Sequence, residues 1–142
     1  QSAAGADINY KYLAMAWEGS CTLKNGNAAG AKTLLDTVLN DTNFDDPNTT
    51  VDEFALGVAY PAMGDLHYDA GAHQKAYDAY IKGAYYAWWT GGTMEGHCLG
   101  FAYLCAKKLE PSDAAKWTTR KEKLHTALAV GFPRVLAEVD KE

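Results

Sequence analysis

The sequence has few of the residues that would mark a disulfide-rich, metal-binding or membrane-spanning protein. It contains three cysteines and four prolines in 142 residues, and it lacks the apolar run of about 18 residues that a membrane-spanning helix needs. The cysteine spacing matches neither a zinc site nor a redox pair. A net charge of −5 argues against the basic surface that binding to nucleic acid or to an anionic membrane requires.

The three cysteines leave the disulfide state open. Cys98 and Cys105 are seven residues apart, which puts them on one face of a helix, about 10.5 Å apart along its axis. That distance is too long for a disulfide. Cys21 could pair with either of them and leave the third free, but we favour three buried thiols that pack as small apolar side chains.

The start of the chain bears on its location. The first residue is Gln1 and not methionine, and it opens a stretch of small residues from 1 to 6. Such a start is what remains when a signal peptide is cut behind a small residue; a trimmed chain or arbitrary numbering is the alternative. We therefore predict a secreted or periplasmic protein with no inserted membrane segment.

Helix-forming residues dominate the chain, and turn-forming residues interrupt them at intervals. The sequence is 48% hydrophobic, and no segment alternates apolar and polar residues as a half-buried strand does. The segments between the breaks have helical length. We predict one all-α domain over 1–142 with six helices, at about 7–24, 28–40, 51–70, 73–89, 94–109 and 112–129, and a short seventh near Pro133.

Local patterns at the predicted helix ends agree with this division. Thr50 and Glu53 form a capping-box pattern, and Ser112 or Asp113 can cap the sixth helix. Gly71, Gly91 and Gly92 suit positions just past helix ends. The short links predict stacked antiparallel helix pairs, at about 7–40, 51–89 and 94–129, followed by a C-terminal cap over 130–142.

One set of small and large residues occurs twice. Each member of the second set lies 45 positions after its counterpart in the first. We interpret the first glycine as a close helix contact, the second as a turn, and the last two residues as the face that fills the contact. The first set is Gly19, Gly26, Ala31 and Leu35; the second is Gly64, Gly71, Ala76 and Tyr80.

This pattern resembles the tetratricopeptide repeat, a family of helix pairs that stack into an α-solenoid. The match is best over 60–84, and there Gly83 replaces the alanine usual in the family. The period of 45 departs from the 34 residues of the family, and Pro61 should kink or break the third helix. The matching residues are Tyr60, Met63, Gly64, Tyr68, Gly71, Ala76 and Tyr80, and in the weaker first copy Met15, Gly19, Leu23, Gly26, Ala31, Leu35 and Val38.

The resemblance implies a binding or assembly surface and not an enzyme. In the family, the first helix of each pair lines a groove. The members that clamp a carboxylate carry lysine, arginine and asparagine there, and those residue types are absent from this face. The residues that the resemblance places in the groove are Leu13, Ala16, Ser20, Leu23, Val58, Asp65 and Tyr68.

Aromatic residues crowd the segment 77–89. Successive helical residues differ by about 100° in direction, so these rings cannot all share one face. We expect some to be core and the others to form an interface. The alternatives are a helix buried all round and, with weaker support, a sugar-binding platform. The residues are Tyr77, Tyr80, Tyr85, Tyr86, Trp88 and Trp89.

The polar stretch 40–52 carries two further hypotheses. Oxygen-bearing residues at steps of two, and one more at the twelfth position, echo a calcium-binding loop, although Asp46 stands where that loop needs glycine. A solvated insertion is the interpretation that we favour, with no resident cofactor. The calcium candidates are Asp41, Asn43, Asp45 and Asp52, and the candidates for N-glycosylation are Asn40 and Asn48.

The sequence contains no motif that commits the chain to catalysis. It has no phosphate loop, nucleophile elbow or zinc-protease pattern, and an enzyme would need His67, His73 or Glu95 to converge in one pocket. We predict a non-enzymatic, secreted structural protein that self-associates, in the form of an extracellular fibre. The alternative is an adaptor that binds a partner protein or peptide within a larger complex.

Overall fold

The computed structural model describes residues 10–41 and 50–142, and it places side chains for these except at 41 and 50–52. The described residues contain no strand, so the all-α prediction is confirmed for them. Short 3₁₀ turns follow the fourth and fifth helices, at Trp88–Thr90 and Glu110–Ser112. The helices are α1 (Lys11–Lys24), α2 (Ala28–Asp41), α3 (Thr50–Asp69), α4 (His73–Tyr86), α5 (Thr93–Leu109), α6 (Ala114–Gly131) and α7 (Pro133–Val139).

The fourth helix is shorter than predicted. α4 ends at Tyr86, and Trp88 and Trp89 lie in the 3₁₀ turn that follows. Gly91 and Gly92 then adopt φ values of 71° and 91°, which a right-handed helix cannot accommodate. The prediction of one continuous helix over 73–89 is therefore wrong, and the two tryptophans leave the helix axis together.

Pro61 does not break the third helix: α3 continues through this residue. The proline ring faces Gly83 of α4, where an added Cβ would lie 3.0 Å from Pro61 Cδ and 2.9 Å from Cys98 Sγ. The missing side chain at Gly83 thus leaves room for both the ring and the thiol. This packing explains why glycine stands where the resembling family has alanine.

The two turns predicted by the repeated glycines have the same hydrogen bonds. After α1, the Gly26 and Asn27 amides donate to the Leu23 and Thr22 carbonyls at 2.9 and 3.1 Å. After α3, the amides of the two corresponding residues, 71 and 72, donate to carbonyls 68 and 67 at 3.0 and 2.9 Å. Both sets are Schellman motifs with a positive-φ glycine, which end a helix and reverse the chain.

The helices pack mainly on their neighbours along the chain. α1 contacts α2 and α3, α3 contacts α4 and α5, and α5 contacts α6 and α7. Within the described part of the chain, neither α1 nor α2 approaches the backbone of any helix after α3. Among the described helices, α3 therefore provides the backbone contact of α1 and α2 with the rest of the fold.

Two buried clusters form the core, and α4 contributes to both. The first joins α1–α4 around Ala16, Leu35 and Val58. The second joins α4–α7 around Tyr80 and Trp117. In this way α4 links the two halves of the molecule.

The C-terminal part closes against α5. Added Cβ atoms at Gly96 and Gly100 would lie 2.9 Å from the Phe132 ring and 2.6 Å from Val135 Cγ1, so both glycines let α7 approach α5. Asp113 caps α6, as predicted, by accepting a hydrogen bond from the Lys116 amide at 3.2 Å. Among the described residues, no helix is both long and apolar enough to span a bilayer.

The cysteine prediction is correct for two of the three thiols. Cys98 and Cys105 are buried, whereas Cys21 is exposed on α1, and all three are free. Burial raises the pKa of both buried thiols to about 12. These two side chains therefore remain protonated at neutral pH and pack as apolar groups.

Candidate functional site

The aromatic segment supplies both core and surface residues. Tyr80 is fully buried, and Tyr77 packs edge-on against the Trp117 ring at 4.9 Å. In contrast, Tyr85 and Trp88 are 75% and 59% exposed. The predicted interface residues therefore divide, and only those from 85 onward reach the surface.

Rings from α3 extend this exposed group into a patch. The Phe54 ring lies 5.2 Å from that of Trp89 and 5.9 Å from that of Trp88. The Tyr60 and Tyr86 rings are stacked at 5.9 Å, and Tyr85 meets Tyr86 edge-on at 4.9 Å. We call these six residues the aromatic patch: Phe54, Tyr60, Tyr85, Tyr86, Trp88 and Trp89.

Gly57 allows the patch to form. An added Cβ at this position would lie 2.5 Å from the Tyr86 carbonyl oxygen and 2.6 Å from Trp89 Nε1. The end of α4 can therefore approach α3 closely enough to place the tryptophan beside Phe54. The buried Trp89 N–H has no hydrogen-bond partner among the described residues, a cost that buried polar groups usually avoid.

A separate polar site lies between α1, α3 and α5. The Tyr80 hydroxyl donates a hydrogen bond to Asp65 Oδ1 at 2.5 Å, and His97 Nε2 lies 2.9 Å from the same oxygen. Tyr80 is buried, whereas the Asp65 and His97 side chains are each one-third exposed. The buried hydroxyl therefore fixes the orientation of a carboxylate that solvent can reach.

Burial and the neighbouring Asp65 carboxylate raise the pKa of Tyr80 far above its usual value. The phenol stays protonated and can act as a donor throughout the neutral range. Phe101 supports the site from α5, with its ring 5.5 Å from that of Tyr80 and 4.7 Å from that of His97. The three polar side chains are thus held by aromatic packing as well as by hydrogen bonds.

This site opens into a cleft of about 360 Å³. One-turn spacing puts Asp69 on the same face of α3 as Asp65, and Lys24 stands at the end of α1. Both are exposed and form no ion pair with any described residue. We call this site the cleft, lined by Leu23, Lys24, Asp65, Tyr68, Asp69, Tyr80, His97 and Phe101.

The structure separates the residues that the resemblance placed in a groove. Leu23, Asp65 and Tyr68 line the cleft, whereas Ala16 and Val58 are buried in the first cluster. Leu13 also packs against that cluster. The groove prediction therefore fails at the buried positions, where the repeat residues serve the contact between hairpins.

The residues considered for catalysis are not linked to one another. No described hydrogen bond or ion pair joins His67, His73 and Glu95. Burial, followed by the positive charges of Lys75 and Lys32, lowers the pKa of His67. Among the described residues, no group of three or more histidine, cysteine or acidic side chains is arranged to hold a metal ion.

The loop hypotheses lie mostly beyond what the structure describes. The side chains of Asp41 and Asp52, and the whole of Asn43, Asp45 and Asn48, are outside the described residues. Asn40 is described and exposed near the end of α2. The calcium and glycosylation predictions therefore stay predictions.

Sequence reasoning missed several contributors to these sites, among them His97 and Phe54. His97 belongs to no motif in the sequence, and its partner Asp65 lies 32 residues away on another helix. Phe54 lies 31 positions before Tyr85 in the sequence and joins the patch only through the contact at Gly57. No local spacing marks such pairs, because helix packing creates them.

Comparison of the chain with protein-family models, with curated proteins and with solved structures finds no match.

Proposed function

We propose that this protein is a non-enzymatic structural subunit that self-associates through the aromatic patch. The observation that carries the proposal is the exposure of Tyr85 and Trp88, at 75% and 59%, beside four more rings. Exposed aromatic residues that cluster in this way mark contact sites, and tyrosine and tryptophan are among the residues that most often dominate their energetics. Removing such apolar surface from water contributes roughly 25 cal/mol per Å², against which the ordering and desolvation costs of association are set.

The order of helix contacts supports a tetratricopeptide-like solenoid as the form of the subunit. Each hairpin packs on the next, and the described hairpins at the two ends have one neighbour each. Arrays of this kind gain stability by covering their ends. Self-association would supply that cover from a second copy.

The same arrangement favours a fibre. A patch that docks on a different surface of the next copy makes a heterologous contact, which extends into a filament unless the ring closes. α1 offers such a second surface, because Trp17 is 44% exposed and Tyr10, just before the helix, is 57% exposed. We propose that the assembled form is an extracellular fibre.

An adaptor that binds a partner peptide is the second candidate. The cleft favours it, since a solvent-accessible carboxylate and histidine are oriented there by a buried hydroxyl. Neither buried thiol offers a nucleophile, because the pKa of each is raised to about 12. This chemistry supports binding over catalysis.

Sedimentation of matched variants tests the first proposal. Tyr85→Ser with Trp88→Ser removes the two most exposed rings of the patch. Val130→Ser removes an apolar side chain that is 85% exposed on α6 and is not one of the six residues of the patch. We expect the double variant to stay monomeric with unchanged helical circular dichroism, while the control assembles like the wild type. Equal assembly of all three proteins would show that the patch is not the contact.

A further inference from the structure

We propose that the cleft binds the arginine side chain of a partner peptide. The proposal deepens the adaptor candidate by naming what the cleft recognises. It does not depend on self-association, because the cleft and the aromatic patch share no residue.

The hydrogen bonds at Asp65 leave carboxylate acceptors of the cleft without a partner. The Tyr80 hydroxyl donates to Asp65 Oδ1, and His97 Nε2, when protonated, donates to the same atom. Asp65 Oδ2 and the Asp69 carboxylate accept no hydrogen bond from any described residue. A guanidinium group carries five N–H donors and no acceptor, so it complements these oxygens.

The position of the two carboxylates also favours a cation. Asp65 and Asp69 are four residues apart on α3, and like charges at this spacing destabilise a helix. Asp69 is the last residue of α3, where the helix dipole disfavours negative charge and favours positive charge. A bound cation would relieve both effects. The charges of Asp65 and Asp69 therefore favour a positively charged ligand at this site.

The walls of the cleft distinguish arginine from lysine. The Tyr68 and Phe101 rings meet at 5.2 Å with an angle of 88°, and both line the cleft. A planar guanidinium can stack on a ring while it donates two parallel hydrogen bonds to a carboxylate. An ammonium group has the charge but lacks both the planar face and the fork of donors.

Lys24 is the group in the cleft that opposes a cation. It ends α1 and is exposed, and it makes no ion pair with the described residues. Its positive charge should repel a bound guanidinium. Replacing Lys24 by alanine should therefore tighten binding, whereas replacing Asp69 should weaken it.

Nuclear magnetic resonance of the His97 ring measures binding directly. The probes are the acetylated, amidated tripeptide Ala-Arg-Ala and the same peptide with neutral citrulline, which keeps the shape and removes the charge. We expect a saturable shift of the His97 resonance with the arginine peptide alone. Asp69→Asn should weaken binding by up to about fivefold, as for an exposed ion pair, and Lys24→Ala should strengthen it.

Thermal unfolding of the free protein separates this role from a structural one. Asp69→Asn should raise the midpoint while it weakens binding, because it removes an unfavourable charge at the end of α3. Equal shifts with arginine and citrulline peptides, or unchanged affinity in Asp69→Asn, would overturn the proposal. Equal affinity for a lysine peptide would overturn the assignment to arginine. Light scattering on the same samples reports assembly, so a failure to bind is distinguished from a failure to associate.

Discussion

The hairpins α1–α2 and α3–α4 use the same packing pattern with one different residue. In the first, an added Cβ at Gly19 would lie 2.8 Å from Leu35 Cδ2; in the second, one at Gly64 would lie 2.6 Å from Tyr80 Cδ1. Leu35 ends in methyl groups, whereas the Tyr80 hydroxyl continues to Asp65. The exchange of leucine for tyrosine turns a packing contact into the support of a polar cleft.

This difference teaches where a repeated fold can acquire a binding site. Both Leu35 and Tyr80 are fully buried, so the apolar part of each side chain satisfies the same contact. A tyrosine also carries a polar tip that must find a partner when buried. That tip reaches the carboxylate next in sequence to Gly64, and the carboxylate in turn lies beside His97 on α5.

The inner glycines should give the largest difference between the hairpins. Gly64→Ala pushes a methyl group into a buried ring that cannot rotate away, so it should lower the free energy of unfolding by about 1–3 kcal/mol. Gly19→Ala meets Cδ2 and Cγ of Leu35, whose torsions can adjust more readily than a hydrogen-bonded ring, and alanine favours the helix, so its effect should be smaller. Urea unfolding measures both, and equal losses would contradict the packing that we describe.

The turn glycines should behave alike in the two hairpins. Gly26 and Gly71 have φ values of 90° and 78°, and an added Cβ would meet nothing within 4 Å at either site. Alanine at each position should cost about 1–2 kcal/mol, from the left-handed backbone alone. Urea unfolding of the two single variants provides the check; clearly unequal losses would mean that the turns are not equivalent.

The repeat could be recognised in the sequence because each of these glycines is required at a fixed position along its helix or turn. A turn at Gly71 and a close contact at Gly64 each need glycine at a fixed position, and the 45-residue offset exposes both. The cleft was not predictable in the same way. Asp65 and His97 meet only because α3 packs on α5, and the sequence separation of such a pair carries no signal.

The end of α4 illustrates the same limit. The composition of 77–89 predicted one aromatic helix, but Gly91 and Gly92 take positive φ values and the chain turns before them. The glycines were assigned correctly to positions past a helix end. How far before them the helix stops depends on the contact of Gly57 with Tyr86 and Trp89, which is tertiary.

Removing the hydroxyl tests the residue that distinguishes the hairpins. Tyr80→Phe keeps the ring against Gly64 and removes the bond to Asp65, so it should destabilise the protein by about 1 kcal/mol. The same variant should shift the His97 ring resonances. Tyr103→Phe is the matched control, since its bond to exposed Asp140, at 3.1 Å, involves no residue that lines the cleft and should leave His97 unchanged. Unchanged His97 ring resonances in Tyr80→Phe would show that the Tyr80 hydroxyl does not influence His97 through Asp65.

A smaller difference should appear with pH. His67 stands where the first hairpin has Thr22, and burial with nearby Lys75 and Lys32 lowers the pKa of this histidine in the folded state. The folded protein therefore binds this proton less readily than the unfolded chain, whose histidine pKa is near 6.5. The contribution of neutral His67 to the free energy of unfolding is present above about pH 6.5. It is lost as the pH falls through the lowered pKa that His67 has in the folded state.

We expect His67→Thr to reduce this acid sensitivity and to change stability little above about pH 7. Urea unfolding of both proteins between pH 5 and 8 provides the comparison. His125→Thr is the comparison for an exposed histidine, which lies 3.6 Å from the Asp140 carboxylate. Identical pH profiles for His67→Thr and the wild type would contradict the effect.

The central claim, that the protein assembles through its exposed aromatic patch, is tested most directly by the mass and shape of the untagged protein in solution. Light scattering over a range of concentrations, with electron microscopy of the same samples, gives both. The account predicts a mass that rises well above the 15.4 kDa of one chain and regular elongated particles. A mass of one chain at every concentration would contradict it.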